Sequence, residues 1–197
     1  MPIFDHFGTI APYYDRVIRL HSTDKLISLT GLPVSGKLLD AGGGTGRVAG
    51  ALSGLASSII VADLSLKMLN QASLKKGLLT VCCHTELLPF QDEFFDRIIM
   101  IDALHHVDDQ LEVARELWRV VKPGGKIVIE EPDIRTFPVK MIAFAEKLVL
   151  MRSHFISPPV IKDLFNYDNA LSWIEQDGYN AWVIIDKNSD LNSTDSG

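Results

Sequence analysis

Lys37-Leu38-Leu39-Asp40-Ala41-Gly42-Gly43-Gly44-Thr45-Gly46 is the stretch that decides the fold. A short apolar run meets Asp40, a glycine-rich loop follows, and residues 47–57 read as a helix. Strand, glycine turn and helix in this order are the opening unit of a doubly wound sheet, whose ligands sit beyond the carboxyl end of the first strand. Glycines permit the tight turn and let a ligand approach backbone N–H groups. The dinucleotide fingerprint G-x-G-x-x-G, counted from Gly42, needs a third glycine where Arg47 stands. The pattern present is D-x-G-x-G-x-G, through Asp40, Gly42, Gly44 and Gly46.

Outward from this loop the chain keeps the same rhythm. Residues 58–63, S-I-I-V-A-D, read as a buried parallel strand ending in Asp63. A carboxylate there is placed to accept ribose hydroxyls. Ser65 caps the next helix. Residues 78–83 read as a third strand, followed by His84 and Thr85. Residues 97–102 are a fourth, delivering Asp102, His105 and His106. Asp108 or Asp109 caps a helix reaching residue 121, with an apolar stripe through Leu111, Ala114, Leu117, Trp118 and Val121. Lys122-Pro123-Gly124-Gly125 stops that helix, and residues 126–131 are a fifth strand.

Several of these segments, correctly ordered over residues 10–131, resemble the class I S-adenosylmethionine-dependent methyltransferases of the ubiquinone- and menaquinone-biosynthesis type. The D-x-G-x-G-x-G loop is similar to motif I of that family. D-x-S-x-x-M-L-x-x-A from Asp63, and A-L-H-H-V followed by L-W-R-V-V-K-P-G-G-K-I-V-I-E, match its pattern. The resemblance implies a Rossmann-like doubly wound, mostly parallel α/β sheet between two helical layers. It implies S-adenosyl-L-methionine as cofactor, with S-adenosyl-L-homocysteine as product.

The resemblance also assigns roles. The loop of Gly42, Gly43, Gly44 and Gly46 would hold the cationic methionine tail, with Asp40 and Asp102 nearby. Asp63 would hold the ribose, and Leu64 and Met68 would give the adenine its apolar contact. His84 and Thr85 stand where the family writes an aspartate and a small residue. Thr85 keeps a backbone N–H for the adenine, and a neutral His84 can accept from its amine. His105 and His106 lie on the substrate edge. Either serves as a base, since histidine titrates near neutrality, or one caps and packs the following helix. Glu130, Glu131 and Asp133 are further candidates for substrate contact, one of them as plain surface charge. No metal constellation is visible.

The 197 residues suffice for one domain. It divides into an N-terminal lid or helix (1–35), a cofactor-binding core (36–131), substrate-side helices with a last strand (132–186) and a polar, disordered tail (187–197). A net charge of −6 without any basic block argues against nucleic acid as partner. No run of about 18 apolar residues predicts a membrane span, and no signal pattern opens the chain, so a cytoplasmic protein is expected. Cys82 and Cys83 are adjacent and read as small buried apolar residues.

The leading helix begins near residue 13, and residues 138–152 form a second helix apolar on most sides. Together with Phe4, Phe7, Tyr13 and Tyr14, that helix is expected to cover a small hydrophobic or aromatic acceptor. Residues 168–176 read as a helix and 181–186 as a sixth strand, parallel to the fifth. The family's usual seventh strand has no counterpart after residue 186. Six strands are therefore expected, with the vacant slot filled by a partner or covered by a homodimer contact. The competing readings are a non-catalytic member of the same fold and a nucleotide-dependent oxidoreductase, which Arg47 disfavours.

Overall fold

The computed structural model describes residues 23–136 and 154–189. One sheet has the order β3-β2-β1-β4-β5-β7-β6. Its strands are β1 (Lys37–Ala41), β2 (Ser58–Asp63), β3 (Leu78–Cys82), β4 (Phe95–Ile101), β5 (Val121–Pro132), β6 (Ala170–Asp177) and β7 (Asn180–Lys187). The first five run parallel. β7 is antiparallel to both β5 and β6. The helices are α1 (Thr23–Thr30), α2 (Arg47–Ala51), α3 (Leu66–Ala72), α4 (Gln110–Val120) and α5 (Pro158–Asp163), and a 3-10 turn, Leu104–His106, follows β4.

Successive strand residues point to opposite faces, so a parallel strand covered on both sides needs consecutive apolar residues. Leu38 and Leu39 of β1 illustrate this, each wholly buried but in different cores. Leu39 joins Ile98, Leu117 and Ile127 on the α4 side. Leu38 joins Leu52, Val61, Ile99 and Val128 on the other. α4 starts at Asp109, whose Oδ1 accepts the Glu112 N–H at 3.0 Å. It buries Val113, Ala114, Leu117 and Val120, while Leu111 is exposed. Polar ties hold the opposite end of the strands. Asp96 Oδ2 accepts the Lys37 N–H at 2.8 Å and the Lys122 ammonium at 2.9 Å, joining the starts of β1, β4 and β5.

The sheet has seven strands, which corrects the expectation of six. The strand missed is β6, which overlaps the helix expected over residues 168–176. Lying at the sheet edge, it is half-covered on both faces and shows no clean alternation. The available signal was Asp177-Gly178. Asp177 pairs with Asn180 across a two-residue loop in which Gly178 has φ +60°, the backbone that hairpin turns demand. Residues 181–186 accordingly run antiparallel to β5, not parallel, and themselves fill the slot that had seemed vacant.

Lys187 is not tail. It ends β7, and its buried ammonium donates to the Trp118 and Val121 carbonyls at 3.0 and 2.9 Å. Cys82 is exposed rather than buried. The expected start of the leading helix near residue 13, the apolar helix at 138–152 and the tail from 190 onward lie outside the described residues. No helix among the described residues is long and apolar enough to cross a membrane.

Trp182 tests whether β7 belongs to the core. It is 1% exposed and packs with Leu38 and Ile184. Trp182→Ala should cost about 3–5 kcal/mol of unfolding free energy, measured by chemical denaturation. A loss below about 1 kcal/mol would place the β6–β7 hairpin outside the cooperative unit.

Candidate functional site

Strand order reverses direction at β1, which lies between β2 and β4. The chain leaves β1 and β4 side by side, creating the crevice where open α/β sheets bind ligands. The two loops touch. A Cβ built on Gly42 would fall 2.8 Å from the Ala103 side chain, and Gly42 has φ +69°. Gly46, with φ +68°, is equally closed, since its Cβ would fall 2.9 Å from Leu78 of β3. Gly44 differs. Its φ is +54°, yet the nearest atom to an added Cβ would be Asp63 Oδ2 at 3.9 Å, so its outer face is open.

The loop's N–H groups are not waiting for a ligand, as the sequence had suggested. Gly42 and Gly43 donate to the Ala62 carbonyl at 2.8 and 3.2 Å, and Gly46 to the Gly43 carbonyl at 2.8 Å. Gly44 donates to Asp63 Oδ2 at 2.8 Å. Asp63 Oδ1 accepts the Ser65 N–H at 2.7 Å. One carboxylate at the end of β2 therefore orients both the glycine loop and the entry to α3.

Asp40 lies beneath the loop. It is 1% exposed, and a Cβ on Gly43 would sit 2.5 Å from its Cγ. Burial pushes its carboxyl from 3.8 up to about 7, and the Asp63 charge adds to this; the Ala49 N–H and the Arg47 guanidinium oppose it. Asp40 Oδ2 and the Arg47 Nε and Nη1 atoms are buried and have no hydrogen-bond partner among the described residues.

The adenine-side residues divide. Leu64 is 53% exposed, whereas Met68 is 3% exposed and turned inward. Thr85 is buried, and His84 is exposed with Nδ1 4.0 Å from Glu86. The Cys83 N–H donates to the Asp63 carbonyl, which brings the loop after β3 beside the end of β2. Asp102 follows β4 in a left-handed conformation, φ +55°, with its N–H on the Glu130 carbonyl. Such a backbone is uncommon outside glycine, and Asp tolerates it better than most residues.

The two histidines occupy different environments. His105 is 5% exposed, and its Nδ1 lies 2.6 Å from Glu131 Oε2. Phe155 stacks on its ring at 4.3 Å. The His106 ring is 3.9 Å from that of His105. Burial, and then the neighbouring His105, push His106 down to about 3, so it is neutral at physiological pH. Glu131 Oε1 also accepts the Ala103 and Leu104 N–H groups at 2.9 and 2.7 Å.

Glu130, Glu131 and Asp133 are all buried, so none is plain surface charge. Glu130 takes the Asn180 amide at 2.9 Å, and Asp133 is gripped by Arg135. The Glu131 contact was missed in the sequence. The one clue is that a buried apolar strand ending in two carboxylates must supply them with donors.

Residues 39–129 match a family model described as a methyltransferase domain. The chain is 33% identical over 163 residues to the ubiquinone/menaquinone biosynthesis C-methyltransferase UbiE of Coxiella burnetii, covering 74% of this chain and 65% of that protein. The corresponding enzyme of Pectobacterium carotovorum is 34% identical over 115 residues, covering 53% and 46%. The chain thus spans less than two thirds of the length of these relatives. Among solved structures, a SAM-dependent methyltransferase from Thermotoga maritima superposes with a TM-score of 0.77 at 22% identity, covering 94% of this chain and 100% of that one. One from Aquifex aeolicus gives 0.73 at 20% identity, covering 93% and 98%. At these identities the likeness establishes the fold.

Asp40 yields a pH test. Its folded value lies above its unfolded one, so its contribution to stability is fully present below about pH 4 and is lost as pH rises through about 7. Asp40→Asn removes that dependence. Between pH 4 and 8 the unfolding free energy of Asp40→Asn should gain on the parent chain by on the order of a few kcal/mol. A difference that stays flat across this window would mean that Asp40 titrates as an ordinary carboxyl.

Proposed function

We propose that the chain, whose residues 39–129 match a methyltransferase domain, is a class I, S-adenosylmethionine-dependent enzyme that transfers a methyl group from this cofactor to a small hydrophobic or aromatic acceptor. The observation that carries the reading is the Asp63–Gly44 contact at the reversal of strand order. A carboxylate that already orients the loop stands at the end of β2, beside a glycine whose outer face is open. A ribose with two hydroxyl donors suits the first, and an extended amino-acid tail suits the second.

S-adenosylmethionine supplies a methyl carbon on a positively charged sulfur and leaves as neutral S-adenosylhomocysteine. The chain's own work is to bind and align. In this reading Asp63 accepts the ribose hydroxyls, and Leu64 offers its exposed side chain to the adenine. Thr85 and His84 face the adenine edge. Gly42, Gly43, Gly44 and Gly46 shape the path of the tail, with Met68 as packing beneath. Asp40 and Asp102 add negative potential that favours a cation. His105 and His106 stand on the acceptor side.

Two observations support an apolar acceptor: Phe155 stacks on His105, and residues 138–152 are rich in apolar side chains. The relatives' names, which place them in ubiquinone and menaquinone biosynthesis as C-methyltransferases, agree with it.

Calorimetric titration tests the cofactor. Asp63→Ala should weaken S-adenosylmethionine binding by about 1.5–3 kcal/mol, the size of hydrogen bonds to a charged group. Gly44→Val should weaken it further, since a branched side chain would fill the open face. Binding of NAD in place of S-adenosylmethionine by the parent chain would overturn the reading.

A further inference from the structure

We propose that Glu131 is the positioning residue for a proton-accepting His105: its carboxylate holds the imidazole with Nδ1 protonated, so that Nε2 is the atom that takes a proton from the acceptor. This rests on the methyl-transfer reading and goes beyond it, because it separates the two adjacent histidines and assigns Glu131 a task.

The geometry is that of an anchored base. Glu131 lies on β5, and His105 sits in the 3-10 turn after β4, the neighbouring parallel strand. One carboxylate oxygen accepts two backbone N–H groups of that turn, Ala103 and Leu104, which fixes where the turn begins. The other lies 2.6 Å from His105 Nδ1, with both side chains about 95% buried. A buried carboxylate opposite a ring nitrogen selects the tautomer that donates to it. The titratable groups against the ring include Glu131 from β5 and His106 within the turn. Phe155 covers one face, and His154 meets the turn through its N–H on the His105 carbonyl at 2.7 Å.

An acceptor that gains a methyl group must give up one proton. That proton passes to His105 Nε2, the electron pair of its former bond stays on the acceptor atom for the new carbon bond, and the resulting imidazolium lies against the Glu131 carboxylate. His106 packs its ring 3.9 Å from that of His105, and burial disfavours a cation on it. The same arrangement of carboxylate, imidazole and protonatable substrate orients a general base in other enzymes.

The test is ring-nitrogen NMR on histidine-labelled protein, parent and Glu131→Gln. Parent His105 should show Nδ1 protonated and Nε2 bare at neutral pH. In Glu131→Gln the preference should be lost, and the proton affinity of the ring should fall at least tenfold. Glutamine keeps one carbonyl oxygen for the Ala103 and Leu104 N–H groups, and Glu131→Asp, which keeps the charge, should restore part of the affinity. S-adenosylmethionine binding by calorimetry should stay within about twofold in both variants.

With a panel of reduced quinones and phenols as acceptors, Glu131→Gln should lower kcat about ten- to a hundredfold at little-changed KM, and its acid limb should move to lower pH. A parent ring protonated on Nε2, or a Glu131→Gln ring identical to the parent's, overturns the proposal and leaves the methyl-transfer reading standing. No cofactor binding by the parent overturns that reading instead, and the nitrogen spectra then still decide the Glu131–His105 assignment.

Discussion

The structure depends on one close approach. β1 and β4 are adjacent at the reversal of strand order, and the loops leaving them meet where Gly42 passes Ala103 with no room for a Cβ. Because Gly42 also has a positive φ, glycine answers two demands there, one steric and one conformational. Gly46 does the same against Leu78 and Ala72 on the other flank. Between these two closed points the loop is forced outward at Gly44, the one position of the three left open. The crevice is thus a consequence of packing the loop at both ends.

Electrostatics sharpen this crevice. The carboxyl ends of β1, β2, β4 and β5 carry Asp40, Asp63, Asp102, Glu130 and Glu131. The chain settles most of them with its own donors. Asp63 takes two backbone N–H groups, Glu131 two N–H groups and an imidazole, and Glu130 the Asn180 amide. Asp40 Oδ2 is the exception, and its raised carboxyl value is the cost of burial without enough donors. A cation brought near Asp40 would favour its ionised form, which couples ligand charge to proton release at this edge.

A second set of ties keeps the approach to the site in place. Arg119 on α4 donates to the Leu88 and Phe90 carbonyls, to Asp92 and to Glu116. Glu116 in turn accepts the Leu88 N–H at 2.7 Å. The irregular segment between β3 and β4 is therefore held by one charged pair on a core helix. The Asp108 N–H on Glu86 joins it to the loop after β4. Trp118 and Tyr167 stack at 4.4 Å, and that contact fixes the chain between α5 and β6 against the same helix.

The sequence alone determined the first five strands, the glycine loop and the identity of the carboxylates at the strand ends. Parallel strands buried on both faces need unbroken apolar runs, and a loop that must adopt positive φ needs glycine, so both leave marks that can be read one residue at a time. It also carried Asp177-Gly178, a hairpin mark at the only point where the β6–β7 pair is locally specified. Only the tertiary structure decided that residues 170–177 form an edge strand, because half-covered edges carry no period. It alone turned β7 antiparallel into the slot beside β5. It alone distinguished His105 from His106 and joined Glu131 to the first, since that contact spans 26 residues and depends on β4 and β5 lying side by side. Local chemistry writes itself into neighbouring residues, whereas a carboxylate's partner is chosen by which strands pair.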